Sequence, residues 1–445
     1  MRKTMNVSKK AGLLISMLVM MILVSACSGA NKPGEAATTA QSTNSASGES
    51  EKYPVTLKFL FTWPEYSELM EKTIQMFKDQ NKNTILDVEI TTTTWDKVQE
   101  IIQTSIAANE QHDVAFNWTT NMAGFVKSGG ALDLTPYLKA DTEWKNSFIG
   151  ENMLELGSID GKYYNIPFRG TGFYIGYNKT LFDSNGWKEP QTLEELEKMM
   201  DEMIAKGITP FAANQGAGAI NYFKIHENIL AGSYDDPNFK LGRKAGIIEP
   251  HAKAIQRSKD WSDKGYFGKN TYTLTREETQ SMFYNGKGAM YLFNNNEIGD
   301  IQKALGNQEF GLFSFPSPEK VKEKIVFGGF DGFFASASTK HPDEAVALLK
   351  FLTSKEVQEM WAKETASSMV LKGMQYDNPL VKKASELFQH VGKFDITPNY
   401  SQGDLLIRNG QAYEEFMIKG NSTAEELAKK WDDNLKVALK EAGIE

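Results

Sequence analysis

The 445-residue sequence predicts an α/β fold of doubly wound sheets, on three observations. Segments with the two-residue period of a strand alternate with segments of helical period after Tyr53, which implies parallel strands joined by crossover helices. A second unit of the same kind recurs between Thr192 and Phe293. The body, Tyr53–Glu445, is long enough for two domains.

The first strand comes from the alternation of Val55, Leu57, Phe59 and Phe61. Tyr66, Leu69, Met70, Ile74 and Phe77 then recur at helical spacing, with Pro64 suited to a first helical turn. Leu86, Val88 and Ile90 predict a second strand, and Val98, Ile101, Ile102 and Ile106 a second helix capped by Thr94. "DVAF", Asp113–Phe116, is a short third strand, followed by Asn117 and Trp118. Ligands of such sheets bind beyond the carboxyl ends of the strands, where the winding reverses. Trp63 and Trp118 sit at the carboxyl ends of the first and third strands, neighbours in a 2-1-3 order, and are expected to project toward one crevice.

In the second unit, Thr192 and Glu195 predict a capping box for a helix that buries Leu196, Met199, Met200, Met203 and Ile204 and stops at Gly207. "ITPFAAN" is a strand running into a polar loop. Thr275 and Glu278 cap another helix, and "GAMYLF", Gly288–Phe293, is the next strand. A last helix starts near Thr423, with Glu426 three residues on, and buries Leu427, Trp431, Leu435 and Leu439. The sequence carries no internal repeat.

The N-terminal segment places the chain outside the cytoplasm. Arg2, Lys3, Lys9 and Lys10 precede an apolar run, Ala11–Ala26, and "LVSAC" follows, the pattern of an export signal. At roughly 1.5 Å per residue the run is short for a permanent span of a ~30 Å hydrocarbon core. Val24–Cys27 resembles the bacterial lipobox, so Cys27 is expected to be acylated and to become the new N-terminus. Cys27 is also the sole cysteine, which excludes disulfides and thiolate metal sites. Residues 28–52 have no aromatic or branched aliphatic residue and are expected to form a flexible tether. Loss of residues 1–26 removes four bases and no acid, taking the net charge from −8 to −12. That balance argues against nucleic acid and against a polybasic membrane patch.

Several longer stretches, in order, resemble the landmarks of one family. They include "ALDLTPYL", "IDGKYYNIPFRGTGFYIGYNKTLFDSNGW", "TLEELEKMMDEMIAKGITPFA", "MFYNGKGAMYLFNNNEIGDI", "FGLFSFPSP" and "GGFDGFFASASTKHPDEAVALLKFLTSKEVQEMWA". The family is the bacterial extracellular solute-binding proteins of ABC transporters, of the carbohydrate-uptake type related to maltose-binding protein. The resemblance covers essentially all of Tyr53–Glu445. It implies a two-lobed periplasmic-binding-protein-like (type II) fold, each lobe a doubly wound sheet, with a hinge and the ligand between them. Crossings are implied near "PFRGTGF", near "GGFDGFF" and near Phe394–Pro398. Lobe one would be 53–169 plus 331–393, and lobe two 170–330 plus 394–445.

A sugar offers hydroxyls to polar side chains and apolar C–H faces to aromatic rings, so its site needs Trp or Tyr beside carboxylates, amides or Arg. "TWPE" and "NWTTN" supply that mixture, nominating Trp63, Glu65, Asn117 and Trp118. Each Trp could instead pack under its own loop, and Glu65 could serve the helix dipole. The resemblance adds Tyr222, in the loop "NQGAGAINYF". It also implies a Trp after "GAMYLF", where this chain has Asn294–Asn296; that departure suggests amide hydrogen bonding by Asn295 and Asn296. Arg169 and Asp331, on the crossing segments, are expected near the cleft floor, either on the ligand or in an inter-lobe ion pair. Trp361 falls at helical spacing with Val357, Met360 and Glu364 and is expected in the core, as are the methionines of 199–203.

Catalysis finds little support. The five His residues are scattered with no HExxH pair, and GxSxG and GxxxxGK[ST] are absent from the sequence. No cofactor or metal is expected. The reading is a lipid-anchored, monomeric carbohydrate receptor on the outer face of the bacterial membrane, delivering ligand to ABC permease subunits. A receptor for a peptide or polyamine is the alternative; a glycosidase, which needs two carboxylates ~5–9.5 Å apart, is a third.

Overall fold

The computed structural model describes residues 54–118, 122–150, 153–214, 225, 228–230, 245–269, 271–318, 326–389, 391–392 and 404–442. Cys27, the tether 28–52, Tyr222 and the third crossing at 394–398 lie outside them.

Strands β1 (Val55–Phe61), β2 (Ile85–Thr92) and β3 (Val114–Trp118) form a parallel set in the order β2-β1-β3, as the alternation of strands and helices predicts. The helices Ser67–Gln80 and Trp95–Ala108 make the crossovers. One detail of β2 differs from the simple alternation. The register between β1 and β2 shifts at Val55/Thr56, with Val55 opposite Ile85 and Thr56 opposite Asp87. Leu86 is the extra residue. A bulge of this kind rotates its residue out of the pleat, so Ile85 and Val88 are buried while Leu86 is 63% exposed.

A small hairpin, β4 (Ser158–Ile159) and β5 (Lys162–Tyr163), precedes the long strand β6 (Ile166–Asn178). The second unit supplies β7 (Phe211–Ala212), β8 (Met290–Asn294) and β9 (Phe310–Ser314), followed by β10 (Val326–Ala335) and the short β11 (Val391–Gly392). The nine strands of the main sheet run β2-β1-β3-β10-β6-β8-β7, with β9 against β6 and β11 against β10. β10 is antiparallel to both β3 and β6. The first half of β6 pairs with β10, and its second half, from Phe173 onward, pairs with β8 and β9. A 13-residue strand thus carries the chain from one sheet region to the other.

Hydrophobic packing follows the same division. One core gathers β1, β3 and the helices Pro342–Leu352 and Lys355–Thr365, with Trp361 fully buried as expected. A second core lies around the helices Leu193–Ala205 and Ile248–Asp263 and the second half of β6. A third cluster packs β8 and β9 against Val381 and Ala384 of the helix Pro379–Phe388. That helix is therefore tied to the second sheet region, and Tyr174 Oη donates to its Ala384 carbonyl at 2.7 Å. The last helix, Ala424–Ala442, also spans both regions: Leu427 and Trp431 join the second core, Leu435 and Leu439 the first.

Two of the predicted caps form complete boxes, and Thr94 holds the N-cap position of its helix with no side-chain capping bond. Thr275 and Glu278 make the reciprocal box, as do Thr423 and Glu426. Thr192 accepts from Glu195 N, but the Glu195 carboxylate takes Gln191 N instead of its cap. Ile204, expected in the buried stripe, is 40% exposed because it sits in the last turn of its helix. Among the described residues no helix is long and apolar enough to cross a membrane.

Candidate functional site

The two regions meet where β6 lies against β10, and the backbones there approach very closely. A Cβ on Gly328 would stand 2.2 Å from Thr171 O, and one on Gly332 2.3 Å from Ile166 O. Glycine is required at both positions. The register shifts between Asp331 and Gly332, so a bulge re-aims the chain at the one acidic residue of β10.

Asp331 faces Arg169 across the pair. Arg169 donates from Nε at 3.1 Å and from Nη2 at 2.9 Å to the same oxygen, Asp331 Oδ2, with both side chains 7% exposed. Burial pushes the Asp331 carboxyl above its ordinary value, and Arg169 and Thr171 pull it back. Thr171, two residues along β6 and so on the same face as Arg169, donates to Asp331 Oδ2 at 3.3 Å. Its Oγ1 in turn accepts from Asn296 Nδ2 at 3.1 Å. On the other side the Arg169 guanidinium lies 4.0 Å over the Trp63 ring. One line of contacts, Trp63–Arg169–Asp331–Thr171–Asn296, crosses the junction.

The nominated residues divide along that line. Trp63 was expected to stand as a platform in the crevice; its exposure is 0%. Its ring packs edge-on against Phe116 at 5.0 Å and Phe61 at 5.5 Å, with Phe168 stacked at 6.1 Å and Arg169 covering it. The ring is a member of the first core, and the packing alternative holds for it in this structure. Asn117 is likewise fully buried: its amide contacts Gln99 Nε2 at 3.4 Å and Met122 Sδ at 3.3 Å. Trp118 ends β3 with its Cα opposite that of Asp331. Asn295, also at 0%, accepts from Gly172 N at 2.6 Å and donates to Gly170 O at 2.9 Å, closing the edge of β6 where it changes partners. Its amide serves the backbone, which corrects the expectation that it meets a ligand.

Asn296 and Glu65 differ in kind. Asn296 is partly exposed, in the turn Asn295–Glu297 after β8. Asn294 and Glu297 box that turn, and Arg276 holds Glu297 at 3.0 Å. Glu65 is exposed in the turn Pro64–Tyr66 that leads into the first helix. Tyr66, assigned to the buried helical stripe by its spacing, is half-buried with its ring 5.9 Å from Trp361. Burial raises the Tyr66 hydroxyl pKa; Arg169 lowers it, and Glu65 and Asp300 raise it further. Tyr66 therefore feels charges from both sides of the junction. Thr171 was legible in principle from its spacing to Arg169; Tyr66 was not, because a Tyr at core spacing gives no sign of which end is wet. Among the described residues no cluster of His, Cys, Asp and Glu could hold a metal ion.

A wholly buried ion pair, an aromatic floor and half-exposed amide and hydroxyl groups can orient a neutral polar ligand; they supply no nucleophile–base pair. Comparison with known proteins agrees with that chemistry. Residues 63–359 match the bacterial extracellular solute-binding protein family. The chain is 25% identical over 393 residues, 84% of this chain and 87% of the other, to a multiple sugar-binding protein of Streptococcus mutans. It is 25% identical over 244 residues, 52% of each chain, to the sn-glycerol-3-phosphate-binding periplasmic protein UgpB of Yersinia enterocolitica. An extracellular solute-binding protein from Staphylococcus aureus, solved in complex with maltose, superposes with a TM-score of 0.70 at 20% identity, covering 87% of this chain and 98% of that one. These two-lobed neighbours share the fold, and the chain belongs to the bacterial extracellular solute-binding protein family.

Proposed function

We propose that this chain is an extracytoplasmic receptor that captures a carbohydrate between its two lobes and delivers it to an ABC importer. The observation that carries the reading is the line of contacts across the junction. It joins both lobes through groups that suit hydroxyls, the partly exposed Asn296 amide and the Thr171 hydroxyl, and the half-buried Tyr66 packs on Trp361, which also packs on Trp63. The sugar-binding relatives support the same class of ligand. Lobe closure would bury the sugar, and tighter binding to the closed state would set the population shift. The lobes would be 53–169 plus 331–393 and 170–330 plus 394–445, with the helix Pro379–Phe388 seated on lobe two. Trp118 and Tyr222 are the aromatics proposed to meet the sugar faces. The protein would act as a monomer, handing its ligand to permease subunits from the membrane's outer face. Acylation of Cys27, within "LVSAC", would hold it there.

A thermal-shift screen against neutral oligosaccharides, polyamines and short peptides tests the class of ligand. Stabilisation by an oligosaccharide, with a smaller radius of gyration in solution scattering, is the expected result. Stabilisation by polyamines or peptides alone would refute the reading. Intact mass of Cys27→Ser beside the native chain tests the anchor separately, since an unmodified native Cys27 would remove it.

A further inference from the structure

We infer that Tyr376 is the pivot of a passage between the lobes at Gly373–Asp377, ahead of Phe394–Pro398, and that the helix Pro379–Phe388 moves as part of lobe two. The inference goes beyond the carbohydrate reading, since it holds for any ligand that the lobes enclose.

Up to Lys372 the chain is fastened to lobe one. Beyond the helix Lys355–Thr365, Val370 N donates to Gln358 Oε1 at 3.1 Å, Ile149 N to Val370 O at 2.7 Å and Lys372 N to Ser147 O at 2.8 Å. From Asn378 onward it is fastened to lobe two. Asn378 Nδ2 donates to Gln302 Oε1 at 2.7 Å, Lys383 pairs with Glu189 at 2.6 Å, and Val381 and Ala384 lie in the third cluster. Of the apolar residues of this helix only Phe388 counts with the first core, and its ring lies against Gly170 and Gly172 of β6, at the junction itself.

The chain changes lobes between those two sets of ties. Gly373 has a φ of +71°, and a Cβ added there would meet nothing within 4 Å, so glycine serves the backbone rather than making room for a neighbour. Gln375 and Asp377 are exposed. Residues of this kind absorb the φ/ψ change of a hinge. Tyr376 is different. It is half-buried and packs against both the first core and the third cluster. Its hydroxyl oxygen accepts from Met369 N at 2.9 Å, and Met369 is a buried residue bridged to Arg169. That bond holds the lobe-two end of the passage beside the Arg169–Asp331 pair. A rotation of lobe two must therefore turn about the Tyr376 ring or break the bond. Tyr376 is a positioning residue, acting through the Met369 backbone on the angle between the lobes.

A measurement without ligand tests this. Nitroxide labels are placed, in the Cys27→Ser protein, on exposed positions of three helices: Lys72→Cys in lobe one, Lys198→Cys in lobe two, and Glu386→Cys on Pro379–Phe388. Pairwise distance distributions are recorded with no other change, with Tyr376→Phe, which keeps the ring and removes the acceptor, and with Gly373→Ala, which strains the backbone. The 198–386 distribution is expected to be narrow and the same in all three proteins. The 72–198 and 72–386 distributions are expected to widen or shift together in both variants, a response that a merely structural role for Tyr376 would not give. Should Tyr376→Phe not fold, Gly373→Ala reads the same movement. A 198–386 distance that changes while 72–386 stays fixed would put the helix in lobe one and overturn the passage. A 72–198 distribution unmoved in folded Tyr376→Phe would overturn the pivot. Both results would leave the class of ligand untouched.

Discussion

The two sides of the junction use their side chains differently. On the first-lobe side the large groups are sealed: Trp63, Phe116, Phe168 and Trp361 are each 0% exposed and touch one another. On the second-lobe side the corresponding turn, Asn294–Glu297, holds short amides, of which Asn295 is buried on the backbone and Asn296 is half open. Aromatic bulk on one side fixes Arg169 from below, and amides on the other present hydrogen-bonding groups. The difference suggests that rigidity comes from the first lobe and adaptable polar contact from the second.

Removing aromatic bulk gives the largest expected effect. Trp63→Ala and Trp361→Ala should each cost ~3–5 kcal/mol of stability, because each leaves a cavity in a closed cluster. Trp361→Ala also removes the donor to Thr73, whose hydroxyl accepts from Trp361 Nε1 at 2.9 Å. Denaturant melts check both. A Trp63→Ala protein with unchanged stability would put that ring back in the crevice.

The second core is expected to be the acid-sensitive one. His251, 2% exposed beside Trp431, has its pKa pushed down to about 4 by burial, against the opposing pull of Asp432. A depressed folded pKa means that the unfolded chain takes up the proton first as pH falls below about 6.5. Stability from this group is complete above pH 6.5 and is lost as pH falls toward 4, by up to ~3 kcal/mol. His251→Phe should flatten that part of the pH profile. An unchanged slope between pH 6.5 and 4 would show that His251 is not held neutral.

A smaller effect separates the two amides. Asn295→Ala leaves Gly172 N and Gly170 O without their partner and should destabilise by ~1–3 kcal/mol. Asn296→Ala should change the melting temperature little.

The sequence shows most of this frame and only part of the site, for a physical reason. Alternation and helical spacing report which face of an element is apolar, so the 2-1-3 strand order, the caps at Thr275 and Thr423 and the core position of Trp361 were all readable. The pairing of Arg169 with Asp331 was one of two stated alternatives, because both lie on crossing segments. Trp63 was misplaced because the end of a strand marks where a crevice can be, not which way a ring turns. Its ring turned inward, under Arg169. Leu86 escaped because one inserted residue in β2 has no signature in composition. Asn295 and Asn296 are adjacent and chemically identical, and only the backbone of β6 distinguishes them.

Calorimetric titration of wild type, Asn296→Ala and Trp63→Phe, with the oligosaccharide that most stabilises the wild type, separates the roles of the two sides. The open amide side of the junction is expected to meet the sugar while the sealed aromatic side supports it. Asn296→Ala is predicted to weaken binding by about two- to tenfold, the effect of ~0.5–1.5 kcal/mol for one hydrogen bond, at nearly unchanged melting temperature. Trp63→Phe is predicted to melt earlier and yet keep its affinity within about twofold, since a buried ring supports the site without touching the ligand. Loss of affinity of about a hundredfold in Trp63→Phe, with Asn296→Ala binding as wild type, would contradict it.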